Sequence, residues 1–196
     1  MRKITVANMI SLDGVMQSPG GKEEDNRNGF EHGGWAVPYN DEVKGKEMAK
    51  GMAQKSELLF GRRTYEHFFK VWPGRKDNPF TEVLDNTTKY LVSNSMKKPL
   101  PWKNSVLLSG DPTDSIAKLK AKPGPNLVIL GSGVLIQSLM KRNLIDVFQL
   151  QIHPLVLGSG FRMFADDGAL AKFNLTNSVT TTTGVIIATY NLANAE

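Results

Sequence analysis

The chain has 196 residues, no cysteine, and a formal net charge of +5 from 24 Lys and Arg against 19 Asp and Glu. That length suits a single domain over 1–196 that buries roughly 70% of its unfolded surface without a staple. The lack of cysteine excludes disulfides, thiolate nucleophiles and cysteine-rich zinc centres. Lysines are spread along the chain without an arginine-rich block or interleaved aromatics, which disfavours nucleic acid and favours a small anionic ligand. No apolar run approaches the roughly 18 residues of a membrane span. Asn8, Ser11 and Asp13 interrupt any leader core, so a cytoplasmic protein with no membrane partner and no metal site is expected.

Lys3 to Asn8 alternates outward Lys3 and Thr5 with inward Ile4 and Val6, which predicts a first strand. Ser11-Leu12-Asp13-Gly14 breaks it, and no periodicity resumes until about Asp41. A gap of that length is unusual for a plain connection. Phe30, Trp35, Val37 and Tyr39 make it a cover over a site rather than a disordered tether. Asp41 to Lys55 reads as a helix with Val43, Met48 and Met52 on one face, and Glu57 to Phe60 as a short strand. Gly61-Arg62-Arg63-Thr64 then opens a helix from Arg63 to about Phe69. Trp72-Pro73-Gly74 and Asn78-Pro79 make Val71 to Asn86 a loop. Lys89 to Val92 and Val106 to Leu108 are strands, the first ending in Ser93-Asn94-Ser95. Asp111 as N-cap and Pro112 at the first helical position predict a helix to Lys120.

After the turn Lys122-Pro123-Gly124-Pro125, the apolar run Leu127 to Leu130 is a buried strand, and Gly131-Ser132-Gly133 turns it sharply. Val134, Leu135, Ile136, Leu139 and Met140 recur at helical spacing, and Lys141-Arg142-Asn143 closes that helix. Ile145 to Ile152 is a strand ended by His153-Pro154, with His153 a satisfied core or edge residue. Gly158-Ser159-Gly160 is a further turn, and Phe173 to Thr180 with Gly184 to Asn191 forms a closing antiparallel pair. The fold class is α/β, with a mixed, mostly parallel sheet flanked by helices. Glycine lacks a Cβ, so backbone amides can approach an anion, and the helix behind adds its positive end. Two strand–glycine–helix junctions therefore point to one polyanionic ligand beyond the strand ends. A Rossmann fingerprint would need glycine at position 136, which is Ile136.

Ser11-Leu12-Asp13-Gly14, Gly61-Arg62-Arg63-Thr64-Tyr65-Glu66, Gly131-Ser132-Gly133, Leu144-Ile145-Asp146 and Leu157-Gly158-Ser159-Gly160 follow one order across nearly the whole chain. That order resembles the dihydrofolate-reductase-like superfamily. Within it, the chain is similar to the C-terminal reductase domain of the bifunctional riboflavin-biosynthesis deaminase-reductase. The resemblance implies a homodimeric, NADPH-dependent reductase that delivers hydride to a C=N or C=O group of a small polar substrate, heterocycles included. A non-catalytic nucleotide-binding protein of the same fold is the alternative. It also implies cofactor contacts from Arg62, Arg63, Thr64, Ser93, Gly131, Ser132, Gly133 and Val134. Asp13 is implied as the catalytic acid and a substrate contact, and Trp35 as a second substrate contact. On residue grounds alone Asp13 is equally a turn former, Trp35 an anchor for its loop, and Thr64 a helix cap. Leu130, Met52 and Asn94 depart from the family pattern at positions that hold substrate or the cofactor's 2′-phosphate.

Overall fold

A computed structural model describes residues 1–168 and 170–193 of the chain. The first alternating run extends beyond the expected end: β1 spans Ile4–Ser11, with Ile4 and Val6 fully buried. It lies inside an eight-stranded sheet of order β4-β3-β2-β5-β1-β6-β8-β7. β2 (Ser56–Gly61), β3 (Lys89–Val92), β4 (Ser105–Leu108), β5 (Asn126–Ile129) and β6 (Val147–His153) run parallel to it. β8 (Ile186–Leu192) is antiparallel to β6, and β7 (Phe173–Thr180) is antiparallel to β8. The mixed, mostly parallel sheet with a C-terminal antiparallel pair is the expected architecture.

Successive side chains of a strand point to opposite faces, and this sorts the core. Ile4, Val6, Leu59, Leu127 and Ile129 meet Ile116 and Leu119 of α4 (Pro112–Ala121) and Leu135, Ile136 and Leu139 of α5 (Gly133–Met140). Leu58, Phe60 and Leu91 face the other way, onto Tyr65 of α2 (Arg62–Val71), Leu84 of α3 (Phe80–Asn86) and Trp102. Each such side chain contributes about 2 kcal/mol on burial.

Helix α3 corrects the expectation of a loop from Val71 to Asn86. Its stop signal lies just past its end, on the next strand. The fully buried Lys89 donates from Nζ to the carbonyls of Leu84, Asp85 and Thr87 at 2.7, 3.2 and 2.7 Å, closing the last turn. Helix α1 (Glu42–Met52) is capped by Asp41, whose Oδ1 accepts from the Lys44 amide. Its Oδ2 accepts from Thr182 Oγ1 and the Thr183 amide, in the turn between β7 and β8. Asp111 caps α4 as expected, accepting from the amides of Thr113 and Asp114.

The strand order positions a site. From β2 the chain leaves through α2 and α3 toward β3; from the adjacent β5 it leaves through α5 the opposite way, toward β6. A crevice opens where neighbouring connections diverge in this manner, at the carboxyl ends of the strands.

Candidate functional site

The crevice is stitched by side chains at three strands. Gly131 and Ser132 both adopt positive φ, +58 and +56. For serine this is strained, so the surroundings must hold it. The Ser132 amide donates to Thr64 Oγ1 at 2.9 Å, and Ser132 Oγ accepts from the Gly61 amide at 3.0 Å. The Gly131 amide donates to Asn8 Oδ1 at 2.6 Å, and Asn8 Nδ2 donates to the Gly131 carbonyl at 3.1 Å. The carboxyl ends of β2 and β5 are thereby locked to each other and to the middle of β1.

The lock leaves two helix ends open. Serine is a strong N-cap, yet the Ser132 hydroxyl is spent on Gly61, and α5 begins without a side-chain cap. Helix α2 begins at Gly61 and likewise has none. Helix α1, which starts elsewhere, is capped by an aspartate, and so is α4, whose first residue Pro112 borders the same crevice as Arg62. The pair of uncapped positive ends therefore meets at one place, the electrostatic requirement for a phosphate or pyrophosphate. Beside it lies a cavity of about 430 Å³ lined by Arg62, Val92, Ser93, Asn94, Ser95, Gly110 and Pro112. Ser93 Oγ accepts from the amides of Ser95 and Met96 at 3.2 and 3.1 Å, and Asn94 Oδ1 accepts from Gly110 at 2.8 Å. The Arg62 guanidinium is exposed and only loosely paired with Glu66, at 3.5 Å. A second cavity of about 350 Å³, between Met52–Glu57 and Asn86–Thr88, lies at the opposite ends of the strands.

The expected residues divide by what they touch. Arg62 and Ser93 line the cavity, and Val134 is exposed in the open first turn of α5. Arg63 is exposed and does not line the cavity. Gly131, Ser132 and Thr64 spend their polar groups on one another and on Asn8 and Gly61, and so shape the turn. A Cβ on Gly131 would lie 2.8 Å from Thr64 Cγ2. One on Gly133 would lie 2.4 Å from Phe161 Cε1 and 2.8 Å from Met16 Sδ. Gly133 thus makes room for protein.

Asp13 and Trp35 are both committed to the protein. Asp13 Oδ1 accepts from Ser11 Oγ and the Leu157 amide, and Oδ2 from the Gly158 amide, at 2.6, 3.1 and 2.9 Å. Partial burial raises its carboxyl, but the Ser11 hydroxyl and the two amides outweigh this and hold it at about 2. Such a carboxylate is ionised at neutral pH and braces its turn against the Leu157 and Gly158 amides. Trp35 is 7% exposed and donates from Nε1 to the Gln17 carbonyl at 2.7 Å. It packs with Val15, Phe30 and Ala36, as an anchor of its loop.

A family model described as the RibD C-terminal domain matches residues 2–187. The chain belongs to this family. The RibD C-terminal family member is 24% identical over 195 residues to the uncharacterised protein YyaP of Bacillus subtilis (strain 168), covering 97% of this chain and 95% of that one. Among solved structures it is similar to a putative riboflavin biosynthesis protein from Shewanella sp. PV-4, with TM-score 0.67, 24% identity and coverage of 99% and 100%. It is also similar to dihydrofolate reductase from Enterococcus faecalis complexed with NADP(H) and RAB-propyl, with TM-score 0.61, 15% identity and coverage of 98% and 97%. The dihydrofolate-reductase-like fold is thereby established.

In this RibD C-terminal family chain, sequence reasoning missed Asn8, an amide placed among apolar strand residues, which was its one visible signal. It also missed Lys44, which is 1% exposed. Among the described residues no helix is long and apolar enough to cross a membrane, and no group of His, Cys, Asp and Glu could hold a metal ion.

Proposed function

We propose that the protein is an NADPH-dependent reductase acting on a C=N or C=O group of a small polar substrate. One observation carries this reading: the two uncapped helix ends joined by Thr64 and Ser132 open beside the cavity of Arg62 and Ser93. The amides of Gly133 and Val134 would hold one phosphate group, and those of Arg62 and Arg63 another. The Arg62 side chain and the Ser93–Ser95 turn would meet the adenosine end. When bound, the nicotinamide supplies hydride to the acceptor carbon. The chain supplies position, with Phe161 and Met16 walling the start of α5 and the segment from Gln17 to Tyr39 excluding water.

Titrating NADPH against intrinsic tryptophan fluorescence tests the reading. Saturable quenching is expected, weakened about tenfold by Arg62→Ala, in line with one lost charged contact of 1.5–3 kcal/mol. Absence of binding at millimolar NADPH overturns it. The second reading, a nucleotide-binding protein without turnover, is favoured by the committed Asp13 carboxylate, which leaves no acid there. Steady oxidation of NADPH with C=N or C=O acceptors separates the two, and sedimentation tests the homodimer implied by family.

A further inference from the structure

His153, at the carboxyl end of β6, is fully buried, and so is Lys44 of α1. Lys44 Nζ lies 3.2 Å from His153 Nε2, and His153 Nδ1 lies 3.0 Å from the Gln151 carbonyl oxygen. A carbonyl only accepts, so Nδ1 carries the proton and Nε2 receives the hydrogen bond from Lys44. Trp35 and Tyr39 stand edge-on to the same imidazole, at 5.1 and 5.5 Å between centroids. Both belong to the long covering segment, and Trp35 is tied back to its start through the Gln17 carbonyl. The neutral imidazole is thus the post on which the cover rests.

We propose that His153 is a proton-operated latch: a second proton on its imidazole releases the segment from Gln17 to Tyr39 while the sheet stays folded. Protonation turns Nε2 from acceptor to donor, facing another donor, and places two cations 3.2 Å apart in a buried site. Backbone contacts at Gln151 and Ile10 favour the charged imidazole, but burial and the charge of Lys44 outweigh them. From α1 comes only Lys44, and the carboxylate of Asp41 is taken by the Lys44 amide, Thr182 and Thr183. From the covering segment comes the Tyr39 ring. From β1 comes Ser11, beside His153 in register, with its hydroxyl committed to Asp13. The other buried lysines differ: Lys89 meets three carbonyls and Lys120 meets the Asp146 carboxylate. Burial, then the charge of Lys44, holds the imidazole at about 4 against an ordinary 6.5. The folded-state value is depressed, so closure is fully favoured above 6.5 and lost as pH falls toward 4. Across that interval the ratio of open to closed cover rises by at most about 300-fold, since Lys44 on α1 keeps its place when the segment opens. The inference needs no bound cofactor and stands apart from the reductase reading.

Hydrogen exchange, corrected for the chemical rate at each pH and followed from about pH 7.5 to about pH 4.5, tests it. Peptides within 17–40 should lose protection by up to about tenfold per pH unit below 6.5, while those of β5 and α5 keep theirs. His153→Gln, whose side chain stays neutral, should flatten that dependence. Loss of protection in all peptides together, or an unchanged slope in His153→Gln, overturns the latch. If that variant fails to fold, an NMR titration of His153 in the natural chain decides: an imidazole that takes its proton at 6.5 or above with the cover closed overturns the proposal equally.

Discussion

The hydroxyl of Thr64 accepts a hydrogen bond from the amide of Ser132 at 2.9 Å, across 68 residues of chain. It joins the first turn of α2 to the first residue before α5, so both helix ends move as one body. Thr64→Val keeps the shape and removes the acceptor, and should cost about 1–3 kcal/mol in urea denaturation. Thr64→Ser should restore most of it. The same variant should weaken NADPH quenching more than its stability loss explains, because the two positive ends no longer share a fixed geometry.

Gly133 faces a filled space. Gly133→Ala drives a methyl into Phe161 and Met16 and should cost about 1–3 kcal/mol by overpacking. Combined with Phe161→Leu, the loss should fall short of the sum of the single losses, because the smaller side chain vacates the methyl's place. Strict additivity in a double-mutant cycle would remove the contact from the account.

Asp13 tests the difference between a staple and an acid. Its folded-state carboxyl, held at about 2 against 3.8, contributes stability that is complete above about pH 4 and lost as pH falls through 2. Asp13→Asn should cost about 1–3 kcal/mol at neutral pH and flatten this acid limb of a denaturation series. Where turnover is measured, it should persist in the variant with an unshifted pH profile.

Lys89 is the stop of α3, set on the strand that follows. Lys89→Met leaves the carbonyls of Leu84, Asp85 and Thr87 without their donor and should cost about 3 kcal/mol, with loss of helical signal at 222 nm below the main transition. Lys89→Arg should not rescue it, since a planar fork does not match three carbonyls converging on one ammonium.

The sheet was legible because its strands are short apolar runs bounded by glycine and proline, and the two strand–turn–helix junctions because glycine and helix start coincide twice. What stayed hidden depends on which side chains turn inward and what they meet there. Helix α3 is only seven residues long and opens on Asn78-Pro79, which reads equally as a turn, and its closing donor sits outside it, on β3. The Ser132 hydroxyl has a partner 71 residues away, so its absence from the helix cap could not be read locally. Glycine at 133 was attributed to ligand approach when Phe161 already fills that space. The burial of Lys44 and Lys89 has no sequence signal, because lysine is rarely buried without a dedicated set of partners.

Asp41 gives the chain's two extremes a common fastening. One oxygen starts α1 and the other grips Thr182 and Thr183, so the bend that closes the last hairpin also secures the helix carrying Lys44. Lengthening that bend would therefore slacken α1, and with it the roof over His153, although some 140 residues of chain separate the two. In folding, α1 cannot gain its full anchor until the carboxyl-terminal strands arrive, which makes it a late-maturing part of the molecule.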